Sequence, residues 1–117
     1  MPRERLPHRR HAVVLDLDYR GNRHHVAIGL YDDGRPGEVF ISGARTGSDV
    51  DGLLADLGVL ISRALQHGDS IEALAAGMGR LGDGTTPASI IGSILDRVAA
   101  EVGRTAGGEP PSARKGG

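Results

Sequence analysis

The fold is decided by residues 12–42, which read AVVLDLDYRGNRHHVAIGLYDDGRPGEVFIS. Apolar residues alternate with other residues through this stretch, as is typical of strands with one buried face. Tyr19 to Asn22 and Asp32 to Gly37 are rich in residues that favour turns, and they interrupt the alternation twice. The pattern predicts an antiparallel meander of three strands. Its core face would carry Val13, Leu15, Leu17, Val26, Ile28, Leu30, Val39 and Ile41.

The second face of this sheet is unusually apolar for a surface in water. It would carry Val14, Ala27, Gly29, Tyr31 and Phe40, mixed with Asp16 and Asp18. Exposed apolar surface of this kind marks a contact with another molecule. We therefore expect this face to form a homo-oligomer or to dock on a partner.

Helical spacing replaces the alternation after Gly43. Apolar residues recur there at steps of three and four, namely at Val50, Leu53, Leu54, Leu57, Ile61, Ala64 and Leu65. Ser48 or Asp49 can cap the start of this first helix, and Gly68 suits a left-handed cap at its end.

Two further helices are predicted downstream. Asp69 and Glu72 have the spacing of a capping box at the start of a short helix. A glycine-rich loop follows, and Pro87 suits the first turn of a last helix. The apolar stripe of that helix is Ile90, Ile91, Ile94, Leu95, Val98 and Val102. We predict an α+β fold in which two or three helices cover one face of the sheet.

Composition excludes several classes of function. The chain has 117 residues, a net charge of −1, 3% aromatic residues and no cysteine. A chain without cysteine forms no disulfide, thiyl radical or cysteine-bound zinc site. The charge and the scarcity of aromatic rings argue against nucleic-acid binding. No apolar run is long enough to span a membrane, so we expect a cytoplasmic protein.

Charge and composition also divide the chain. Residues 1–10 are predicted to form a flexible basic arm, because they hold four arginines and one acid. Residues 11–102 would form the folded domain. Residues 103–117 lack periodicity and are rich in glycine and proline, so we expect a disordered tail.

Six residues are candidates for binding a phosphate or a nucleotide. Arg80, Thr85 and Thr86 surround the glycine-rich loop before the last helix, where free N–H groups could hold a phosphate, although a plain connection is the simpler interpretation of this loop. Arg10 in the arm could contact phosphates or simply lie in solvent. Arg35 and Glu38 flank a tight turn. We expect Arg35 and Arg80 to be exposed.

No catalytic, metal or cofactor site is predicted. Gly77 to Gly82 matches G-x-G-x-x-G, but it follows a helix, whereas the dinucleotide fingerprint follows a strand. His24 and His25 are adjacent on a strand and would point to opposite faces, so they do not suit one metal ion. Asp16 and Asp18 are interpreted as part of a solvated face.

Several motifs, in the correct order, resemble one known family. The run LYDDGRPGEVFI at residues 30–41, then Gly47-Ser48, Ser62 and residues 65–68, resembles the TSCPD domain of adenosylcobalamin-dependent (class II) ribonucleotide reductases. The resemblance covers about residues 5 to 100 and presents the domain as a stand-alone chain. It implies a non-catalytic accessory to a ribonucleotide reductase, acting through protein or nucleotide binding. Any reductase activity would then belong to a partner chain.

A second hypothesis comes from architecture alone. Small sponge proteins that sequester immune signals share a plan of one sheet with helices. By that analogy the chain would be an oligomer that captures nucleotides or cyclic nucleotide signals in arginine-lined pockets.

Overall fold

A computed structural model describes residues 2–43 and 48–106. These residues form β1 (Ala12–Tyr19), β2 (Asn22–Leu30), β3 (Pro36–Ser42), α1 (Asp49–Gln66), α2 (Ile71–Ala76) and α3 (Ile90–Ala106). The strands make one antiparallel sheet in the order β1-β2-β3. The predicted α+β fold with a three-stranded meander is confirmed.

The turn between β1 and β2 sets the register of the hairpin. Arg20 and Gly21 both have positive φ, of 52° and 83°, and Tyr19 pairs directly with Asn22. Two consecutive residues with positive φ match the twist that a two-residue hairpin needs. This register places Leu15 opposite Val26 on the core face.

The core lies between one face of the sheet and the helices. Its fully buried residues are aliphatic, because the chain has few aromatic residues to place there. Those at the centre are Val26, Ile28, Val39, Leu54, Ile71, Ile94, Leu95 and Val98.

Helix α1 packs along the outer edge of β3. Its buried Ser62 hydroxyl accepts the Val39 N–H at 2.8 Å and also lies 3.3 Å from the Val39 carbonyl. One turn on, the Gln66 side-chain amide donates to the Gly37 carbonyl at 2.8 Å. A Cβ on Gly58 would lie 2.9 Å from the Val39 carbonyl oxygen, so only glycine permits this approach without a shift. Polar side chains of α1 thus satisfy backbone groups of β3.

The apolar residues of α1 do not form the single buried face that the spacing suggested. Leu54, Ile61 and Leu65 are in the core, whereas Val50 is 52% exposed and Leu53 is 60% exposed. The helix faces a strand edge instead of a broad sheet surface, and this edge covers a narrower strip of the helix.

Both predicted ends of α1 are confirmed. Ser48, one of the two candidate caps, accepts a hydrogen bond from the Asp51 N–H through its side chain. Gly68 has a φ of 112°, which lies in the left-handed region that favours glycine.

The predicted capping box of α2 is wrong by one residue. Ser70 is the cap, and its hydroxyl accepts the Ala73 N–H at 3.0 Å. Asp69 instead closes the end of α1, where its N–H donates to the Ala64 carbonyl.

The start of α3 also differs from the prediction. Pro87 lies outside the helix, in an isolated bridge opposite Arg80. Ser89 accepts the Gly92 N–H through its side chain, and the helix begins at Ile90. The bridge closes the loop between α2 and α3, and so delays the helix by about one turn.

Helix α3 continues past residue 102, the predicted end of the domain, to Ala106. Residues 107–117 of the predicted tail, and Gly47 of the family resemblance, lie outside the described residues. The boundaries of the arm, domain and tail stay predictions.

Candidate functional site

The arm lies against the β2–β3 turn and the end of α1. The Glu4 N–H donates to the Gln66 carbonyl at 2.7 Å. The Tyr31 hydroxyl donates to the Glu4 carbonyl. The pKa of Tyr31 is raised, first by burial and then by the nearby Glu4 carboxylate. These contacts bring the arm next to Arg35.

Arg35 is held by two carboxylates. Its guanidinium donates to both oxygens of Glu4 at 3.1 Å and to Asp33 at 2.7 Å. It also lies over the Tyr31 ring, 4.5 Å from the centroid. Hydrogen bonds to Glu4, and then to Asp33, raise the pKa of Arg35, so its charge is permanent. An incoming phosphate would have to compete with both carboxylates for this group.

Arg10 and Glu38 form an ion pair in a cavity of about 230 Å³. Arg10 Nε lies 2.6 Å from Glu38 Oε2, and these side chains are 33% and 14% exposed. The Glu38 side chain extends over Gly29, the residue opposite it on β2. The lining of the cavity is Arg3, Arg5, Leu6, Arg10, Glu38 and Gln66. Three arginines and one glutamate therefore line the same cavity, in which Arg10 bonds Glu38 and Arg3 donates to the Gln66 side chain.

Arg80 has a structural environment, and the expectation that it is exposed is wrong. Its side chain is 24% exposed and makes a two-pronged ion pair with Asp96 of α3, at 2.5 and 2.9 Å. It also donates to the carbonyls of Ala75 and Thr85. The hydrogen bond from Arg80 lowers the pKa of Asp96. Arg80 thus ties the α2–α3 loop to α3.

Thr85 and Thr86 are bound to Asp83 within the same loop. Asp83 Oδ1 accepts both backbone N–H groups, at 2.9 and 2.8 Å, and the Thr86 hydroxyl donates to Oδ2. These bonds, led by those from Thr86, lower the pKa of Asp83 from 3.8 to about 2. The carboxylate of Asp83 therefore occupies the donors that a phosphate was predicted to use.

The six candidate residues fall into two groups. Arg10, Glu38 and Arg35 lie around the arm, whereas Arg80, Thr85 and Thr86 lie in the α2–α3 loop. No hydrogen bond or ion pair among the described residues joins the two groups. Phosphate or nucleotide binding at these residues stays a prediction.

The second face of the sheet, called the open face here, carries an apolar row across all three strands. Val14 on β1, Ala27 on β2 and Phe40 on β3 are consecutive partners in the register. Val14 is 68% exposed and Phe40 is 58% exposed. Phe40 is the only phenylalanine of the chain. No helix among the described ranges covers this row.

Polar and charged side-chain pairs border the apolar row. On one side His25 Nδ1 lies 2.6 Å from Asp16, and Arg23 Nε lies 3.1 Å from Asp18. The Arg10–Glu38 pair lies on the other side, since Glu38 is opposite Gly29. An apolar centre with a charged rim is the usual anatomy of a protein interface.

His24 is a feature that the sequence reasoning missed. It is 3% exposed, and its Nδ1 has no hydrogen-bond partner among the described residues. Its position two residues before Val26 was the available signal, because that phase places it on the core face. His25 lies on the open face, so the two histidines point apart as predicted.

The described residues contain no group of three or more His, Asp or Glu side chains arranged to hold a metal ion. Over the same ranges, no helix combines the length and the apolar character that crossing a bilayer requires.

Comparison with known proteins identifies the family. The model of the TSCPD domain matches residues 3–102. A vitamin B12-dependent ribonucleotide reductase of Rhodopirellula baltica is 39% identical over 72 residues, covering 62% of this chain and 7% of the reductase. Reductases of the same name from Bradyrhizobium diazoefficiens and Agrobacterium fabrum are 32% and 31% identical over 70 residues, covering 60% of this chain and 6% of each enzyme.

The chain thus spans less than a tenth of the curated relatives that it matches. No solved structure matches it. The match to the family model extends from the arm to the last turns of α3, which is most of the chain. This chain belongs to the TSCPD domain family.

Proposed function

We propose that this domain is a non-catalytic accessory to a ribonucleotide reductase, and that it docks on a reductase polypeptide through the open face. The observation that carries the proposal is the apolar row of Val14, Ala27 and Phe40. Its matched relatives are reductases in which the corresponding segment is a small part of a much longer chain. There the equivalent face would have the rest of the enzyme to pack against.

The residue types of the row fit a docking role. Phe40 supplies a large aromatic side chain that is free to enter a pocket, and aromatic anchors carry much of the binding energy at interfaces. Exposed aromatic and aliphatic side chains aligned across a sheet cost solubility unless they bind something. The ion pairs at the rim then contribute to orientation and to the rate of association more than to affinity.

Four carboxylates of the described residues have bonds that do not suit general acid catalysis. The carboxylates Asp33, Glu38, Asp83 and Asp96 are each bound by an arginine or by threonine donors. The pKa values of Asp33, Asp83 and Asp96 are lowered, whereas a general acid at neutral pH needs a raised one. These carboxylates hold loops of the protein together.

A binding measurement tests the docking proposal. The partner is a purified vitamin B12-dependent ribonucleotide reductase from which the matching segment has been deleted, and titration calorimetry measures its affinity for this domain. We expect binding by the native domain and a loss of at least tenfold in Phe40→Asp, since a charge would enter an apolar contact. Leu81→Asp is the matched control, because Leu81 is 50% exposed but lies in the α2–α3 loop. Equal binding by both variants would refute the use of this face.

Nucleotide capture is a second candidate, supported by one observation. Arg3, Arg5 and Arg10 line one cavity of about 230 Å³, and Glu38 is the acidic residue in that lining. Arginine binds phosphate through paired donors, so a nucleotide could displace Glu38 from Arg10. In this reading the open face would join copies of the chain into an oligomer.

A nucleotide panel separates the second candidate from the first. Titration with nucleoside triphosphates and cyclic nucleotides should show binding that weakens in Arg5→Ala and tightens in Glu38→Gln, because the glutamine no longer competes for Arg10. An affinity that is indifferent to both substitutions would exclude this cavity. Docking on the reductase is expected to survive Arg5→Ala.

A further inference from the structure

Helix α1 carries a second apolar surface that its own fold leaves exposed. It consists of Val50, Leu53, Leu57, Leu60 and Ala64, called the α1 stripe here. Val50, Leu53 and Leu60 are 52%, 60% and 62% exposed, and the other two are half-buried. The fold therefore uses the remaining face of α1 and not this one.

The spacing of the stripe is that of a coiled-coil seam. Its members follow one another at steps of three, four, three and four residues, which is the heptad pattern of apolar positions. A helix has 3.6 residues per turn, so the stripe is centred roughly 90° around α1 from the buried strip of Leu54, Gly58, Ile61 and Leu65. A partner helix on the stripe would thus lie at the side of the domain, next to α1.

We propose that the α1 stripe binds the α1 stripe of a second copy of this chain, with the two helices antiparallel. This proposal does not depend on the proposed function, which uses the open face. Aligning the apolar layers places Val50 opposite Leu60 of the second copy and Leu53 opposite Leu57. The layers are self-complementary, as a two-fold interface requires.

Charges beside the stripe favour the antiparallel orientation. Asp49, Asp56 and Arg63 occupy the heptad position next to the seam, and they make no ion pair with another described residue. In the antiparallel register Asp49 faces Arg63 of the second copy, and the two-fold axis repeats that attraction. Asp56 faces its own equivalent across the axis, which is repulsive. A parallel pair would instead place these charges against the body of the partner.

The surface is small, so the dimer is weak. The four leading residues of the stripe span about 15 Å of helix, and the contact falls short of the roughly 800 Å² per partner of a standard interface. We therefore expect dimerisation only at high protein concentration.

Sedimentation equilibrium from about 10 µM to 1 mM tests the dimer. We expect concentration-dependent dimerisation in the native chain and a loss of at least tenfold in affinity for Leu60→Glu. Val59→Glu is the matched control, since Val59 is 56% exposed on the same helix but lies on the other side of the buried strip. A native chain that is monomeric at 1 mM would overturn the proposal, as would equal effects of the two variants.

Charge variants test the orientation. Asp49→Lys and Arg63→Asp should each weaken the dimer about threefold to tenfold, and the double variant should restore it because both facing pairs are re-formed. Asp56→Ala should tighten the dimer. These three side chains are exposed, so circular dichroism should show unchanged folding. A double variant weaker than either single one would refute the antiparallel register.

Discussion

Two glycines of α1 allow one substitution to be compared in two environments. Gly58 lies against β3, where an added Cβ would be 2.9 Å from the Val39 carbonyl oxygen, whereas a Cβ on Gly52 would meet nothing within 4 Å. In both positions alanine gains up to about 1 kcal/mol of helix propensity. At Gly58 the backbone of β3 must move, and overpacking of this kind costs about 1 to 3 kcal/mol. Gly52→Ala should therefore stabilise the protein, and Gly58→Ala should destabilise it.

Urea unfolding measures this contrast directly. The two variants should differ by about 1 to 3 kcal/mol in the free energy of unfolding, with equal m-values if the unfolded states are alike. For a domain of this size the difference corresponds to roughly 4 to 8 °C in Tm per kcal/mol. Equal stability of the two variants would mean that α1 does not approach β3 as closely as described.

Three further predictions concern stability. Ile94→Ala should cost about 2 to 5 kcal/mol, because Ile94 is fully buried in α3, and an unchanged Tm would refute its place in the core. Arg80→Ala should destabilise the protein more than Arg35→Ala does, because it leaves Asp96 and the carbonyls of Ala75 and Thr85 without their donor, and chemical denaturation compares the two variants. Since the pKa of Asp83 is lowered from 3.8 to about 2, its stabilising effect is complete above pH 4 and is lost as the pH falls to about 2. Over that interval the Asp83→Asn variant should lose less stability than the native chain, and acid titrations of the two proteins measure the loss. A greater loss in the variant would contradict the prediction.

The sheet could be predicted because its signals are local. Alternation and the turn residues around Gly21 and Gly34 specify strands, connections and register within a few residues. The same holds for Ser48 and Gly68 at the ends of α1, since capping depends on neighbours in the chain.

The position of α1 could not be predicted in the same way. Its apolar residues cover two adjacent faces of the helix, and spacing alone does not say which face meets the sheet. Gly58 and Ser62 carried the missing information, because a small residue and a hydroxyl in a helix face suit close packing on a strand edge. Their role depends on Val39, about twenty residues away.

The contacts of the candidate site could not be predicted, because its ion pairs join residues that are far apart in the sequence. Arg80 was predicted to be exposed because the loop around it is rich in glycine. Its partner Asp96 is sixteen residues away on α3, and Glu4 reaches Arg35 across thirty-one residues. Charge patterning along the sequence reveals which residues are charged, but the fold decides which of them neutralise one another.

The hydrogen bonds from Ser62 and Gln66 to β3 also govern how this sheet can grow. An exposed strand edge is a template for a further strand from another chain, and such additions underlie both peptide recognition and fibril formation. At β3 the Gly37 carbonyl and the Val39 N–H are already engaged by α1, so the part of the edge that they form is closed to an incoming strand. We therefore expect β-augmentation of the described sheet at β1, on the opposite edge.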